Sequence, residues 1–227
     1  MLKHSIKIMS FQKGIKDMLP LSIAVIPWAI MAGSHAISAG LNIIEAIAMS
    51  VFVFAGAAQI MSLTMLMADT SFIVILVTIF FMTAQHYIYG LSLRADIAKL
   101  SSLQRISLGF LLTDELYAVS ELYPERSYLY LLGAGLSFYI FWVTFSAVGI
   151  LCTFMIEDIA VIHLDYSIVA IFLVMSIFLI KNIIGIIAIL VSSAAMFILT
   201  WVEFQFALIF SSLLGMIIAA LFDKDES

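Results

Sequence analysis

The chain has 227 residues, of which 64% are hydrophobic and 11% charged, with a mean hydropathy of +1.20 and a formal net charge of -5. A soluble domain carries roughly 25% charged residues, so this composition excludes an ordinary soluble enzyme and describes an all-α, polytopic integral membrane helix bundle. The single cysteine, Cys152, excludes an intrachain disulfide framework and a cysteine-based zinc cluster, and nothing in the composition points to nucleic acid.

The N-terminal stretch "MLKHSIKIMSFQKGIKD" is basic and precedes an apolar run that begins at Met18. That run is as long as a full span, about 20 residues, whereas the apolar region of a signal peptide is shorter. Residues 1–17 are therefore read as a cytoplasmic surface segment leading into an uncleaved first helix. Eight apolar segments follow, at 18–39, 43–68, 71–93, 106–120, 128–154, 166–180, 183–200 and 203–222, joined by short loops into a single domain over residues 1–227.

In the first segment Pro27 removes a backbone hydrogen bond and frees the carbonyl near Ile23, either as a packing kink or to face a substrate. Gly33 and Gly40 allow close approach of another helix. "AGSH" at 32–35 sets Ser34 beside His35, but neighbours on a helix point apart and no nucleophile elbow surrounds them. The second segment is interrupted by "FAGAAQ" at 54–59. A helix broken at Gly56 exposes backbone N–H groups suited to a carboxylate. Gln59 carries an amide that bonds another helix or lines a site.

The third segment ends "TAQHYIYGLSLRAD". Thr78, Met82, Gln85 and Tyr89 share one helical stripe, and Thr83, His86 and Gly90 share the next. Polar side chains on a spanning helix face the interior. His86 is thus read either as a proton relay or as an interfacial histidine beside belt tyrosines. The fourth segment, "FLLTDELYAVS" at 110–120, holds Asp114 and Glu115 side by side. Charge at the bilayer centre costs at least about 2.5–3.5 kcal/mol, which leaves three readings. Asp114 caps a short helix beginning near Glu115, or a carboxylate binds a substrate ammonium, or a carboxylate carries a coupling proton.

Lys3, Lys7, Lys13 and Lys16 place the N-terminus inside, and Arg94, Lys99 and Arg105 place the 94–105 loop inside. The 157–165 loop has carboxylates without Lys or Arg and suits the outside. Lys181-Asn182 marks an inside turn, Glu203 with Trp201 suits the outer interface, and the 223–227 tail is inside. If segments one to three all crossed, 94–105 would lie outside. Six full spans plus two broken or re-entrant segments, the second and fourth, restore every basic loop to the inside. Interrupted helices at membrane depth border a protein-lined cavity. The alternative is that the second segment simply spans. Ser211 and Gly215 form a small-xxx-small pair that favours helix packing. The chain lacks a P-loop and an H-E-x-x-H motif, so neither ATP hydrolysis nor zinc hydrolysis is indicated, and no cofactor or metal is called for.

The ordered pieces "LPLSIAVIPWAIMAGSHAISAG", "FVFAGAAQIMS", "QHYIYGLSL" and "LLTDELYAVS" resemble the AzlC family, the large subunit of branched-chain amino acid exporters, over roughly the first half of the chain. The resemblance implies a bacterial cytoplasmic-membrane protein that exports valine, leucine, isoleucine and sometimes methionine with a small hydrophobic AzlD-like partner. It carries site roles onto Pro27, Gly33, Gly56, Gln59, His86, Tyr89, Gly90, Asp114 and Glu115. One position departs. The family usually has Asn-x-Arg-His before "LYG", and here Thr83-Ala84-Gln85-His86 puts neutral Gln85 at the Arg place. A contact of that Arg with a substrate carboxylate or a buried acid would be lost, which bears on substrate identity. The expected assignment is helix ends near Gly56–Gln59 for the substrate carboxylate, Asp114 or Glu115 for its ammonium or a coupling proton, and apolar side chains for its tail. The leading function is a secondary exporter subunit driven by an ion gradient. A channel or exporter for another small solute and a non-catalytic scaffold are the alternatives, and an enzyme is not expected.

Overall fold

The structure is a computed structural model that describes residues 2–122, 126–155, 182–204 and 207–222, with isolated positions between 173 and 180; within these, side chains are described from Ile8 onward except at 208 and 209. The 157–165 loop, most of the 166–180 segment, Lys181, the 223–227 tail and the side chains of Lys3 and Lys7 lie outside the described residues. The described residues are helical, and the chain divides into two compact units, Met1–Met175 and Ser176–Ser227.

The first unit opens with α1, Leu2–Ala24, and α2, Ile26–Ser38. Residues 2–17 belong to the same continuous helix as the apolar run, so Met18 marks no backbone boundary. The boundary falls instead at Val25, two residues before Pro27, where the path bends by 57° between Ile8–Ala24 and Ile26–Ser38. Pro27 lacks the N–H that would bond the Ile23 carbonyl, so the ladder stops there and restarts on the new axis.

Both segments expected to be interrupted are interrupted. The second divides into α3, Ile43–Phe52, and α4, Gly56–Met67. Asn42 starts α3 with a capping box to Glu45. The fourth divides into α8, Ser102–Leu111, and α9, Asp114–Glu121. Ser101 starts α8 with a second capping box, to Gln104. Between these pairs run α5, Phe72–Thr83, α6, Gln85–Ser92, and α7, Arg94–Ile97. The unit's longest described helix is α10, Tyr128–Cys152, begun by Ser127, whose hydroxyl accepts from the Tyr130 amide.

Helix α10 is the spine. In a membrane the force between helices comes from close packing rather than from burial away from water, and glycine supplies that closeness. A Cβ on Gly33 of α2 would strike the Ser146 carbonyl of α10, and one on Gly149 would strike the Ile30 carbonyl of α2. The same reciprocal contact joins α1 to α10 through Gly14 against the Tyr130 carbonyl and Gly133 against the Phe11 carbonyl. Around these contacts Met18, Leu21, Trp28, Leu116, Leu131 and Trp142 form the buried core. Gly40 departs from expectation. Its φ is +88°, and a Cβ there would meet open space, so it turns the chain out of α2 rather than admitting a neighbour.

Among the described residues, Phe72–Ser92, Tyr128–Cys152 and Ile183–Trp201 are long and apolar enough to cross a membrane, and the bent α1–α2 pair makes a fourth, broken candidate. None of the side chains of α5 or α6 is buried, as expected of a face turned to lipid or to a second subunit. The second unit contains α11, Ile183–Trp201, and α12, Ala207–Phe222. They pack as the small-residue pair predicts. Gly215 sits on Ser192 and the Ala188 carbonyl, and the Ser211 hydroxyl lies 3.6 Å from the Met196 sulfur.

Candidate functional site

The α8–α9 break places the carboxylates. Leu112 and Thr113 are extended, and the Thr113 hydroxyl accepts from the Leu116 amide at 3.2 Å, so Thr113 is the cap of α9. The reading of Asp114 as the cap is thereby corrected: Asp114 is the first residue inside the helix and its side chain is free to turn elsewhere. The far end of α9 is tied down by Arg126, whose Nε donates to the Ser120 carbonyl while its two Nη atoms pair with Asp96 and Glu121.

The Asp114 side chain turns to α6. The Gln85 amide donates to both of its oxygens, at 2.8 and 3.0 Å, and the Tyr89 hydroxyl donates to Oδ1 at 2.7 Å. The i, i+4 spacing of Gln85 and Tyr89 puts both donors on one face of the helix. Tyr89 is steadied by stacking on Tyr117, with ring centroids 4.3 Å apart and planes 12° apart. Glu115, the next residue, is 5% exposed and lies beside the Thr113 hydroxyl. The position that usually carries arginine in the family the sequence resembles thus does face an acid, and here meets it through a neutral amide.

The α3–α4 break supplies another part of the wall. Val53 and Ala55 leave the helical path, Phe54 is buried, and α4 restarts at Gly56. The Tyr139 hydroxyl of α10 donates to the Val51 carbonyl at 3.0 Å, satisfying one of the acceptors left over at the end of α3. At the start of α4 the cap is Ala55, which has no side chain to bond the first amides. Gly56, Ala57 and Ala58 therefore present N–H groups with no intrahelical partner. Gly56 is required by packing, since a Cβ there would come within 2.8 Å of the Trp142 ring and 3.3 Å of the Trp28 ring.

Between the two breaks lies a recess with an empty volume of about 500 Å³, its open mouth included. Gly56, Ala57 and Ala58 form one side, and Thr113, Asp114 and Glu115 another. Gln85 and His86 form a third, and Trp28, Phe54, Phe138 and Trp142 complete it. Trp28 and Trp142 meet edge to face at 6.0 Å. The buried indole N–H of Trp142 bonds no other described group. Among the described residues no Lys or Arg lines the recess. Among the described residues no three His, Cys, Asp or Glu gather into a metal site.

The structure brings Gly56, Gln85, His86, Asp114 and Glu115 together on the recess, with Tyr89 directly behind Asp114. The remaining expected site residues lie elsewhere. Pro27 makes the bend that lets Val25 and Trp28 reach the recess, but does not line it. Gly33 is occupied by its contact with α10, and Gly90 faces open space. Gln59 is fully buried and donates to the Ser50 hydroxyl at 3.0 Å, clasping α3 to α4 across the break. His86 directs Nδ1 at the Thr83 carbonyl, 2.9 Å away. Thr113, Trp28, Phe54 and Trp142 were not singled out from sequence. Only Thr113 had a legible signal there, a hydroxyl residue just before two acids.

The family model described as "AzlC protein" matches residues 20–156, which includes the whole recess. The chain is 32% identical over 146 residues to the inner membrane protein YgaZ of Escherichia coli, a match covering 62% of this chain and 60% of that protein's length. It is 35% identical over 175 residues to an uncharacterized membrane protein of Archaeoglobus fulgidus, covering 76% and 77%. A membrane protein of Helicobacter pylori is 26% identical over 147 residues, covering 61% and 64%. No solved structure matches. The ordered motifs around the two helix breaks, the match across them and these relatives together make the chain a member of the AzlC family of membrane proteins.

Proposed function

We propose that this chain is the large subunit of a secondary transporter that exports valine, leucine, isoleucine and methionine from the cytoplasm. In this reading it works with a small hydrophobic AzlD-like subunit in the bacterial cytoplasmic membrane and is driven by the proton gradient. One observation carries the reading: two broken helices deliver opposite charge preferences to one recess. The first amides of α4 suit a carboxylate. The Asp114 and Glu115 carboxylates of α9 suit an ammonium. A zwitterion needs both seats, and Trp28, Phe54, Phe138 and Trp142 offer its aliphatic tail an apolar wall. Membership of the AzlC family, which is associated with branched-chain amino acid transport, supports the same substrate class.

The test is efflux. Cells loaded with dipeptides of valine, leucine, methionine and control residues are followed for release, with and without this chain and its small partner. Faster release of the branched-chain residues that needs both chains and collapses with the proton gradient is the expected result. Flux indifferent to the gradient would favour a channel instead. The orientation is tested separately, by a Ser102→Cys label in a Cys152→Ser background. Modification from the cytoplasmic side alone is expected, and modification from outside would overturn the inside placement of residues 94–105.

A further inference from the structure

We propose that the two adjacent carboxylates divide the work of transport. Asp114 is the fixed anion that receives the substrate ammonium, and Glu115 is the group that exchanges the coupling proton. This rests on the exporter reading above and assigns roles that it leaves open.

The division follows from how differently the two are held. Asp114 accepts three hydrogen bonds, from Gln85 to both oxygens and from Tyr89 to Oδ1. Donors on both oxygens match a carboxylate anion and leave no room for an acid proton on Oδ1. Its Oδ2, with one donor, keeps a lone pair for an incoming ammonium. All the donors are neutral, so the anion is oriented without being neutralised. Glu115 is held more lightly, by the Thr113 hydroxyl and its own backbone amide. It is 5% exposed, faces the same recess and lies next in the chain to the Asp114 charge.

Among the described residues, no Lys or Arg stands beside Glu115 in the recess. On its own helix the titratable neighbours are Asp114 and Tyr117, and from α6 they are His86 and Tyr89. The parts of α2, α4 and α10 that wall the recess contribute Trp28, Gly56–Ala58, Phe138 and Trp142, none of which titrates as an acid or base. From α8, Leu111 packs beside Leu116. On α1, Lys13 pairs with Asp17, and Asp17 accepts from the Tyr130 hydroxyl, which also reaches the Val119 carbonyl in the second turn of α9. In an empty recess, two carboxylate anions would stand side by side with no Lys or Arg among the described lining residues. A proton on Glu115 removes one of those charges.

The direction of coupling then follows. When an ammonium seats on Asp114, its positive charge offsets the repulsion and Glu115 gives its proton to cytoplasmic water. When the substrate leaves on the outside, Glu115 takes a proton from that side and the recess returns with the single negative charge of Asp114. One proton enters for each zwitterion exported, no bond other than the O–H of Glu115 forms or breaks, and one positive charge moves inward per cycle. Substrate and proton compete for one pair of carboxylates, which is the logic of an antiporter.

Two measurements on the full chain separate the roles. The first needs no substrate. The infrared difference spectrum of the purified protein between acid and alkaline pH should contain a protonated-carboxyl C=O band that disappears in Glu115→Gln, persists in Asp114→Asn, and returns shifted in Glu115→Asp. A band that survives Glu115→Gln unchanged overturns the assignment, whatever the cargo. The second uses proteoliposomes carrying the chain with its small subunit and radiolabelled leucine. Glu115→Gln should lower uphill movement driven by a pH gradient far more than it lowers leucine–leucine exchange, and should flatten the pH dependence of that exchange. Asp114→Asn should lose both. Full uphill transport by Glu115→Gln overturns the proposal. So does loss of exchange by Glu115→Gln if Glu115→Asp fails to restore it. A wild type that exchanges no branched-chain amino acid refutes the exporter reading alone, and the infrared result still decides the role of Glu115.

Discussion

Two helix starts line the same recess, and they are dressed in opposite ways. Both carry the partial positive charge of unpaired amides. At α9 Thr113 caps those amides, and Asp114 and Glu115 then overcompensate the positive end with carboxylates. At α4 the cap is Ala55, and the amides of Gly56 to Ala58 are left bare. One structural device, a helix broken at membrane depth, thus yields an anionic pole and a cationic pole. The broken backbone sets the geometry, and the residues on either side of the break set the sign.

The largest effect is expected where the anionic pole is erased. Asp114→Asn removes the charge that an ammonium would meet, a loss of about 2–5 kcal/mol, or at least about thirty-fold in transport. Efflux of dipeptide-derived valine reads it, and full retention would break the comparison. Next comes a change that should make the poles alike. Ala55 has an extended backbone, with φ -150° and ψ 90°, suited to a capping side chain. Ala55→Asp would bond the bare amides itself. It should add about 1 kcal/mol to the stability of α4 yet raise the apparent KM for a zwitterion by about ten-fold or more. A thermal melt that rises while transport falls is the signature, and unchanged KM would show that the bare amides are not a substrate seat.

Tyr89→Phe takes one donor from Asp114. A hydrogen bond to a charged group contributes about 1.5–3 kcal/mol, so transport should fall by about ten-fold with the protein still folded. Exchange kinetics across a substrate range check it. The smallest effect belongs to Thr113→Val, which removes the α9 cap for about 1 kcal/mol of stability but leaves the Gln85 and Tyr89 donors to Asp114 in place. A lowered melting temperature with transport within about two-fold of wild type is the expected pair of readings.

The starts of several helices were legible because local chemistry sets them. Asn42 precedes Ile43, Ser127 precedes Tyr128 and Asn182 precedes Ile183, each a polar cap before an apolar run. The interruptions at 54–59 and before Asp114 were visible as small or polar residues inside apolar stretches. Partners across the fold were not visible. Gln85 could be seen to replace a usual arginine, but not that it would meet Asp114 29 residues away. Gln59 read equally as bonding another helix or lining a site, and only the contact with Ser50 shows it holding two half-helices together. Trp28 and Trp142 sit in runs whose apolar character carries no periodic signal, so nothing local marks them as a wall. Gly33 and Gly149 read as generic packing until their carbonyl partners are known.

The α5–α6 face has a consequence for handling the protein. Met82, Thr83, Gln85 and His86 help wall the recess, yet these helices bury no side chain of their own. Gln85 itself is exposed while it holds Asp114. The chemistry of the site is therefore insulated from one side by whatever medium surrounds the chain. Exchanging a bilayer for a thin detergent shell admits water next to Asp114 and raises the local dielectric, which weakens every charged contact there. Affinities measured in micelles should come out lower than those in liposomes, by an amount that depends on the amphiphile rather than on the sequence.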